Sequence, residues 1–291
     1  MGAIRYLEKL TSEDGLISYT FPVDDYEHEA AQGYREASEA VIGADYAHDF
    51  GGVQPWVKDV GDEAVRFTIW GTSEADAETQ FDTCAGTLRR IGRGKLYALA
   101  SDGSRRWAWA KLAARPTYSA RVDDFYNVAV ALRFRRYSDW FASAATTGTQ
   151  AVVATPATFT INNPGNAPVL AAVFRLRSSG ATGFTNPSLT NLTNGYSIAS
   201  TRDAVSANSE LHIDAGAARV QWSDDDGSTY ADDYALATLG ATQAGLMRLE
   251  PGDNTMRYSD GGTPNLSVEW SFYAAYEGSP SARARHRRPR G

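Results

Sequence analysis

The chain changes character near residue 150, and that change limits what it can fold into. Before it, residues 131–141 form a basic-aromatic run, Ala-Leu-Arg-Phe-Arg-Arg-Tyr-Ser-Asp-Trp-Phe. Residues 143–150 follow, Ser-Ala-Ala-Thr-Thr-Gly-Thr-Gln, small, polar and without pattern. From Thr158 to about Glu277 the sequence is a succession of short alternating segments broken by turn residues. Two β-rich modules in series are therefore expected, and 291 residues suffice for two medium domains. The division predicted is 1–143, a linker at 144–150, a second domain at 151–279 and a basic tail at 280–291 expected to be disordered.

In the first module, residues 40–46 read as a strand entering a turn, and Gly51-Gly52 as a second turn. Residues 63–70 alternate with period two, which puts Val65, Phe67 and Ile69 on one face. One helix follows. Thr72 or Ser73 can cap it, Glu74, Asp76 and Glu78 suit its positive end, and Ala77, Phe81, Cys84, Leu88 and Ile91 share an apolar stripe. Arg89, Arg90 and Arg93 fall at its C-terminal end, where Gly92 or Gly94 stops it. Residues 95–99 and 105–112 form strands about an Asp102-Gly103 turn, and 127–134 is a further strand. The module reads as a sheet with one helix laid over it.

The second module reads as a β-sandwich of jelly-roll type. A strand at 158–162 closes in an Asn-Pro-Gly-Asn turn, and residues 169–177 follow with Leu170, Ala172, Phe174 and Leu176 on one side. Asn194-Gly195 marks a hairpin. Residues 210–214 pair with 218–222. Residues 246–258 are strand, Pro-Gly turn and strand, and 265–276 ends the module. The fold class expected for the whole chain is mostly β.

Charge is uneven along the chain. Residues 1–70 carry fourteen acids and five bases, residues 71–143 eight acids and twelve bases, and the last twelve residues five arginines and no acid. A solvated surface with a disordered tail is the leading reading of this asymmetry, and complementary faces of identical subunits meeting in a ring are the sharper one, while the net charge of −7 speaks against a duplex-binding protein. The single cysteine, Cys84, excludes an internal disulfide framework and a cysteine metal cage. No apolar run approaches the ~20 residues that span a bilayer, and residues 1–5 lack a signal-peptide core, so folding in a cytoplasm is expected.

Chemistry-bearing patterns are weak. Asp224, Asp225 and Asp226 with Asp232 and Asp233 are adjacent rather than alternating as a calcium loop requires, and a solvated turn explains them better. His28, His48, His212 and His286 have no metal-ligand spacing. No nucleophile elbow or phosphate-binding glycine loop occurs, and no cofactor is expected. Trp222, Tyr230 and Tyr234 are candidates for stacking on a sugar or contacting a partner, although for Trp222, which alternates with Val220, an edge or core position is the leading reading. Trp107, Trp109 and Trp140 near basic residues suit subunit contact better than nucleic-acid stacking; Arg133, Arg135, Arg136 and Trp140 are the candidate subunit interface.

In their order these motifs resemble the distal tail proteins of long-tailed, non-contractile bacteriophages. The matching pieces are residues 41–49, the helix end Leu88-Arg89-Arg90-Ile91-Gly92, the strands of 95–112 and 128–134 closing at Trp140, and Phe159 to Ala167. They continue with the hairpin at Asn194-Gly195, residues 210–214, and Leu249-Glu250-Pro251-Gly252-Asp253-Asn254. The likeness covers roughly residues 30–277; the first thirty residues and the arginine-rich tail lie outside it. The resemblance implies a ring-forming N-terminal domain and a galectin-like C-terminal sandwich. It implies a virion structural protein assembled in the host cytoplasm rather than an enzyme. Six copies would stand between the tail tube protein and the hub, tail-associated or fibre proteins, around a channel that DNA crosses without specific binding. A carbohydrate-binding module for host attachment is the alternative, and a glycosidase with two facing carboxylates ranks third.

Overall fold

A computed structural model of the protein describes residues 4–22, 26–36, 56–120, 126–179, 183–204, 206–240, 243, 245–277 and 284–285. The expected strand at 40–46 and the Gly51-Gly52 turn lie outside the described residues. The chain divides into two compact units: the first runs to Ser143 and resumes at Glu277, and the second is Ala144–Tyr276.

The first unit contains β1 (Ile4–Ser12), β2 (Ser18–Thr20), β3 (Glu27–Glu36), β4 (Trp56–Trp70), α1 (Glu74–Ile91), β5 (Arg93–Ala100), β6 (Arg105–Leu112), β7 (Thr117–Ala120), β8 (Asn127–Arg136) and β9 (Trp140–Ala142). The second contains β10 (Thr146–Val152), β11 (Ala157–Asn163), β12 (Val173–Ser178), β13 (Phe184–Thr185), β14 (Ser188–Asn191), β15 (Ser197–Ser200), β16 (Asp203–Ala204), β17 (Glu210–Asp214), β18 (Arg219–Ser223), β19 (Ala231–Asp232), β20 (Ala237–Leu239), β21 (Gly252–Ser259), β22 (Leu266–Phe272) and β23 (Ala275–Tyr276). A last strand, β24 (Ala284–Arg285), belongs to the first unit. The protein is mostly β, with one α-helix among the described residues.

In the first unit the sheet order is β2-β1-β5-β6-β8-β4-β3-β24, with β7 also paired to β8. The pairs are antiparallel, so each strand can bury one face and solvate the other. Val65, Phe67 and Ile69 of β4, Val130, Leu132 and Phe134 of β8, and Leu96 and Ala98 of β5 are buried. Helix α1 covers this face with Ala77, Phe81, Cys84, Leu88 and Ile91. Full burial of each of its large apolar side chains stabilises the unit by about 1.5–3 kcal/mol. The Ser73 hydroxyl accepts from the Asp76 amide at 3.2 Å, and Gly92, at φ 61°, ends the helix in a conformation that a Cβ would oppose. Arg93 therefore opens β5 rather than closing the helix. Burial pushes the Cys84 thiol up to about 11, which leaves it inert. Tyr126 and Gly71 are linked by a backbone hydrogen bond of 2.8 Å where the helix leaves β4.

The second unit has two antiparallel sheets, β10-β22-β12-β17-β18-β19 and β11-β21-β14-β15-β20, and a ribbon of β13 with β16. Both sheets alternate buried and solvent-facing residues, and Phe159 of one stacks on Trp270 of the other at 5.7 Å, as in a sandwich. Gly148 sits opposite Trp270 in the register, and a Cβ there would lie 2.3 Å from the indole. Its lack of a side chain lets the ring lie over the β10 backbone.

Several expectations need correction. The stretch 144–150, expected as a linker, contains most of β10, which pairs residue by residue with β22 from Thr146↔Phe272 to Val152↔Leu266. Its small polar residues suit a strand with one face in water and the other under an aromatic ring, a pattern too faint for hydrophobic periodicity to reveal. In the basic tail, Ala284 and Arg285 form a strand opposite His28 and Glu27, because β3 offers an unpaired edge. Leu170 does not share a face with Phe174: β12 starts only at Val173, Val169 makes an isolated bridge to Leu249, and Leu170 is 51% exposed. Residues 246–250 likewise contribute that bridge, not a strand. The unassigned N-terminus supplies β1, an inner strand between β2 and β5.

Candidate interaction surfaces

The solvent face of the six-stranded sheet in the second unit is built from polar residues in cross-strand register. One row runs Thr149, Glu269, Arg175, His212, Gln221, Asp232, one residue from each strand. At ~4.8 Å per strand it crosses about 24 Å. The next row holds Ser267, Arg177, Glu210 and Ser223. Glu210 is buried, and three groups meet its carboxylate: the Tyr230 hydroxyl donates at 2.6 Å, and the Nε atoms of Arg177 and Arg175 lie at 3.4 and 3.7 Å. Burial, and then the bond to Glu210, pushes Tyr230 up to about 12. Arg177 also pairs with Asp226, and its Nη1 lies 3.8 Å from Glu269. His212 packs edge-on against Tyr230 at 5.0 Å, and both its ring nitrogens lie buried without a hydrogen-bond partner. Burial, reinforced by Arg175, lowers its pKa, so the ring stays neutral near pH 7.

Beside this cluster lies a groove of about 470 Å³, lined by Thr147, Gly148, Thr149, Val173, Arg175, Glu269, Trp270 and Ser271. It offers a guanidinium, a carboxylate and three hydroxyls within one concavity, a donor set suited to a polyhydroxylated ligand.

Of the three aromatic candidates in this unit, only Tyr230 joins the cluster. Trp222 is 7% exposed: its indole N–H donates to Asp224 at 2.8 Å, Phe184 meets it edge-on at 5.8 Å, and the Arg202 guanidinium covers its ring at 5.2 Å. It belongs to the core, because its strand parity places it beside Val220 on the inner face. Tyr234 is 44% exposed in a 3₁₀ turn at 234–236 and is not part of the groove lining. The aspartates have separate local tasks. Asp225 accepts from the Ser223 hydroxyl and from the Thr229 amide and hydroxyl, Asp226 pairs with Arg177, and buried Asp233 pairs with Arg202 at 2.5 Å.

The first unit's candidate interface splits by parity. Arg133 and Arg135 point away from the core, and Arg133 pairs with Asp62 at 2.5 Å. Arg136 and Trp140 are 2% and 1% exposed and cannot be reached by a partner. Arg136 lies on the core face of β8, where its Nε donates to Glu63 at 2.6 Å and its guanidinium lies 5.3 Å from the Trp140 ring. A run of basic and aromatic residues in sequence had concealed this alternation. The outward face of β5 and β6 carries a second basic-aromatic surface. Lys95 lies 4.8 Å from the Trp107 ring, Arg93 5.1 Å from Trp109, and Lys111 5.3 Å from Tyr137. The tryptophans stand out in the sequence by residue type; the signal for the lysines beside them is their alternation with Leu96, Ala98, Ala108 and Ala110.

These features define a two-unit antiparallel β protein whose polar and charged surfaces lie on sheet faces. More particularly, the chain shares the fold of the Dit protein of phage SPP1 (gp 19.1), described as a paradigm of the hub adsorption apparatus in phages infecting Gram-positive bacteria. The TM-score is 0.55 at 15% identity, covering 84% of this chain and 88% of that one. Two structures of the phage p2 baseplate in its activated conformation also align, one with strontium (TM-score 0.44, 10% identity) and one with calcium (0.45, 9%), each covering 91% of this chain and 96% of the other. Neither a protein-family model nor a curated protein matches the sequence.

Proposed function

We propose that the protein is a structural component of a phage tail tip or baseplate, a homohexameric ring that joins the tail tube to hub or fibre proteins around a DNA channel. The observation that carries this reading is the shared fold with SPP1 Dit, which extends over 84% of the chain and so includes both units. The order of turn motifs, from the Asn-Pro-Gly-Asn turn to Leu-x-Pro-Gly-x-Asn, supports it independently. The role is geometric and non-catalytic: identical subunits close the ring by heterologous contacts, and the second, galectin-like unit serves as a docking platform. The protein's place is then the tail tip of the virion, after assembly in the host cytoplasm. Negative-stain microscopy with light-scattering mass tests this. Six-fold rings near six times 31.5 kDa are expected, and monomers that persist at high concentration and with tube or hub protein added would overturn it.

The groove beside Arg175 and Glu269 favours a second reading, a carbohydrate-binding module for the host surface. Glycan binding that is lost in Arg175→Ala and Glu269→Ala but retained in Tyr234→Ala would establish it.

A further inference from the structure

The outward face of β1, β5 and β6 carries Arg105, which pairs with Glu8, and four further cations, Lys9, Arg93, Lys95 and Lys111, none of which has a carboxylate partner among the described residues. Their neighbours are rings instead: Lys9 lies 4.9 Å from Tyr97, and Lys95 lies 5.6 Å from Trp109 as well as close to Trp107. Glu8, next to Lys9 in β1, is engaged with Arg105, and Asp62, two strands from Lys111, with Arg133. Cations held against aromatic rings gain most when water is removed from around them, and arginine with aromatics is enriched where proteins meet.

The opposite side of the same unit carries the complement. Gly94 faces the helix, since a Cβ there would lie 3.0 Å from Ile91, so Arg93 and Lys95 on either side of it face away from α1. On the exposed side of α1, Glu74, Glu78 and Asp82 follow one another at intervals of four. They form one stripe of like charge, which weakens an isolated helix, and no described basic side chain pairs with them. The stripe is about 12 Å long at 1.5 Å per residue. The cations, from the Arg93–Lys111 pair through Lys95 to the level of Lys9, extend over about 13 Å along the strands.

We infer that this cationic sheet face docks onto the Glu74–Glu78–Asp82 stripe of the next copy of the chain. The contact is heterologous, because donor and acceptor surfaces lie on opposite sides of one unit, and repetition of such a contact closes a ring or extends a filament. The inference rests on the ring reading and supplies its interface.

Two double variants test it, Lys95→Glu/Lys111→Glu on the sheet and Glu74→Lys/Glu78→Lys on the helix, with mass photometry as readout. Each alone is expected to raise the dissociation constant by about 100-fold, since like charges then meet. An equimolar mixture is expected to restore assembly, because each variant's altered face then meets the other's. A variant that merely folds badly is not rescued in this way, and the helix variant does not touch the sheet. Wild-type rings with both variants assembling normally would overturn the face pairing and leave the ring reading standing. Wild-type monomers, even with tube or hub protein, would remove the ring reading and this inference together. Retention of duplex DNA by the wild type, lost in Lys95→Glu/Lys111→Glu without effect on assembly, would assign the face to nucleic acid instead.

Discussion

The Arg136–Glu63 pair permits a sharp test of how the first unit is held together. Both side chains are almost wholly shielded from solvent, 2% and 0% exposed, and Nε lies 2.6 Å from Oε1. Arg136 also donates through Nη1 to the Ser138 carbonyl at 3.0 Å. At an effective dielectric of about 20, opposite charges this close attract by about 4–6 kcal/mol. Desolvation of the two ions costs several kcal/mol each, so the intact pair adds little net stability. Removing one partner is a different matter, because the other stays buried and loses this charge-assisted bond. Arg136→Met is therefore expected to cost about 3–5 kcal/mol, a large part of the ~5–15 kcal/mol that holds a typical domain folded. The double variant Glu63→Leu/Arg136→Met is expected to fall within about 2 kcal/mol of wild type, since the methionine stem can still lie against Trp140. Urea unfolding of the full chain, with amide exchange of β4 and β8 to assign the transition to the first unit, measures both. A cost below about 1 kcal/mol for Arg136→Met would refute the burial argument, as would a double variant no better than the single one.

Two further outcomes follow from the second unit. The buried Asn254 side chain donates to the carbonyls of Glu250 and Gly252 at 2.8 and 3.1 Å and accepts from the Glu250 amide at 2.8 Å and from Asn191 at 2.9 Å. Asn254→Ala should cost about 2–3 kcal/mol in urea unfolding, and a cost under about 1 kcal/mol would show that water replaces these bonds. Hydrogen bonds from the Ser223 hydroxyl first, and then from Thr229, hold Asp225 at about 2, below its ordinary 3.8. A depressed carboxyl stabilises above the unfolded value and loses that contribution as pH falls through the folded one. Protection of the Thr229 amide against exchange, taken relative to the intrinsic rate at each pH, should therefore fall between about pH 4 and 2, and Asp225→Asn should abolish that step.

Strong local signals were legible in the sequence. Helix α1 could be read from its stripe, its Ser73 cap and its glycine stop, and β4, β6 and β17 from alternation. Asn254, in the Leu-x-Pro-Gly-x-Asn motif that best marked the resemblance, ties one turn to two strands, which explains why that motif is tight. What escaped was long-range. β1 has Leu7 and Leu10 on the buried face at an irregular spacing because its pairing with β5 shifts register twice, so period two fails. β10 is mostly threonine, glycine and alanine, and its strand character comes from β22. Arg136 looked like surface chemistry by residue type, whereas parity along its strand put it inside; for Trp222 the alternation with Val220 already pointed to an edge or core position. The groove joins Thr147 and Thr149 to Arg175 and Glu269 across three strands, and only the register brings them together.

Strand β24 bears on the order in which this fold can be completed. The sheet of the first unit ends with residues 284 and 285, which a ribosome delivers about 140 residues after β9. At 5–20 residues per second that is a delay of roughly seven to thirty seconds. Through that interval β3 keeps an open row of backbone donors and acceptors while the entire second unit is being made. Nascent chains on one message would thus share a vulnerable window in which a neighbour's strand competes for the seat that the chain's own last strand will fill.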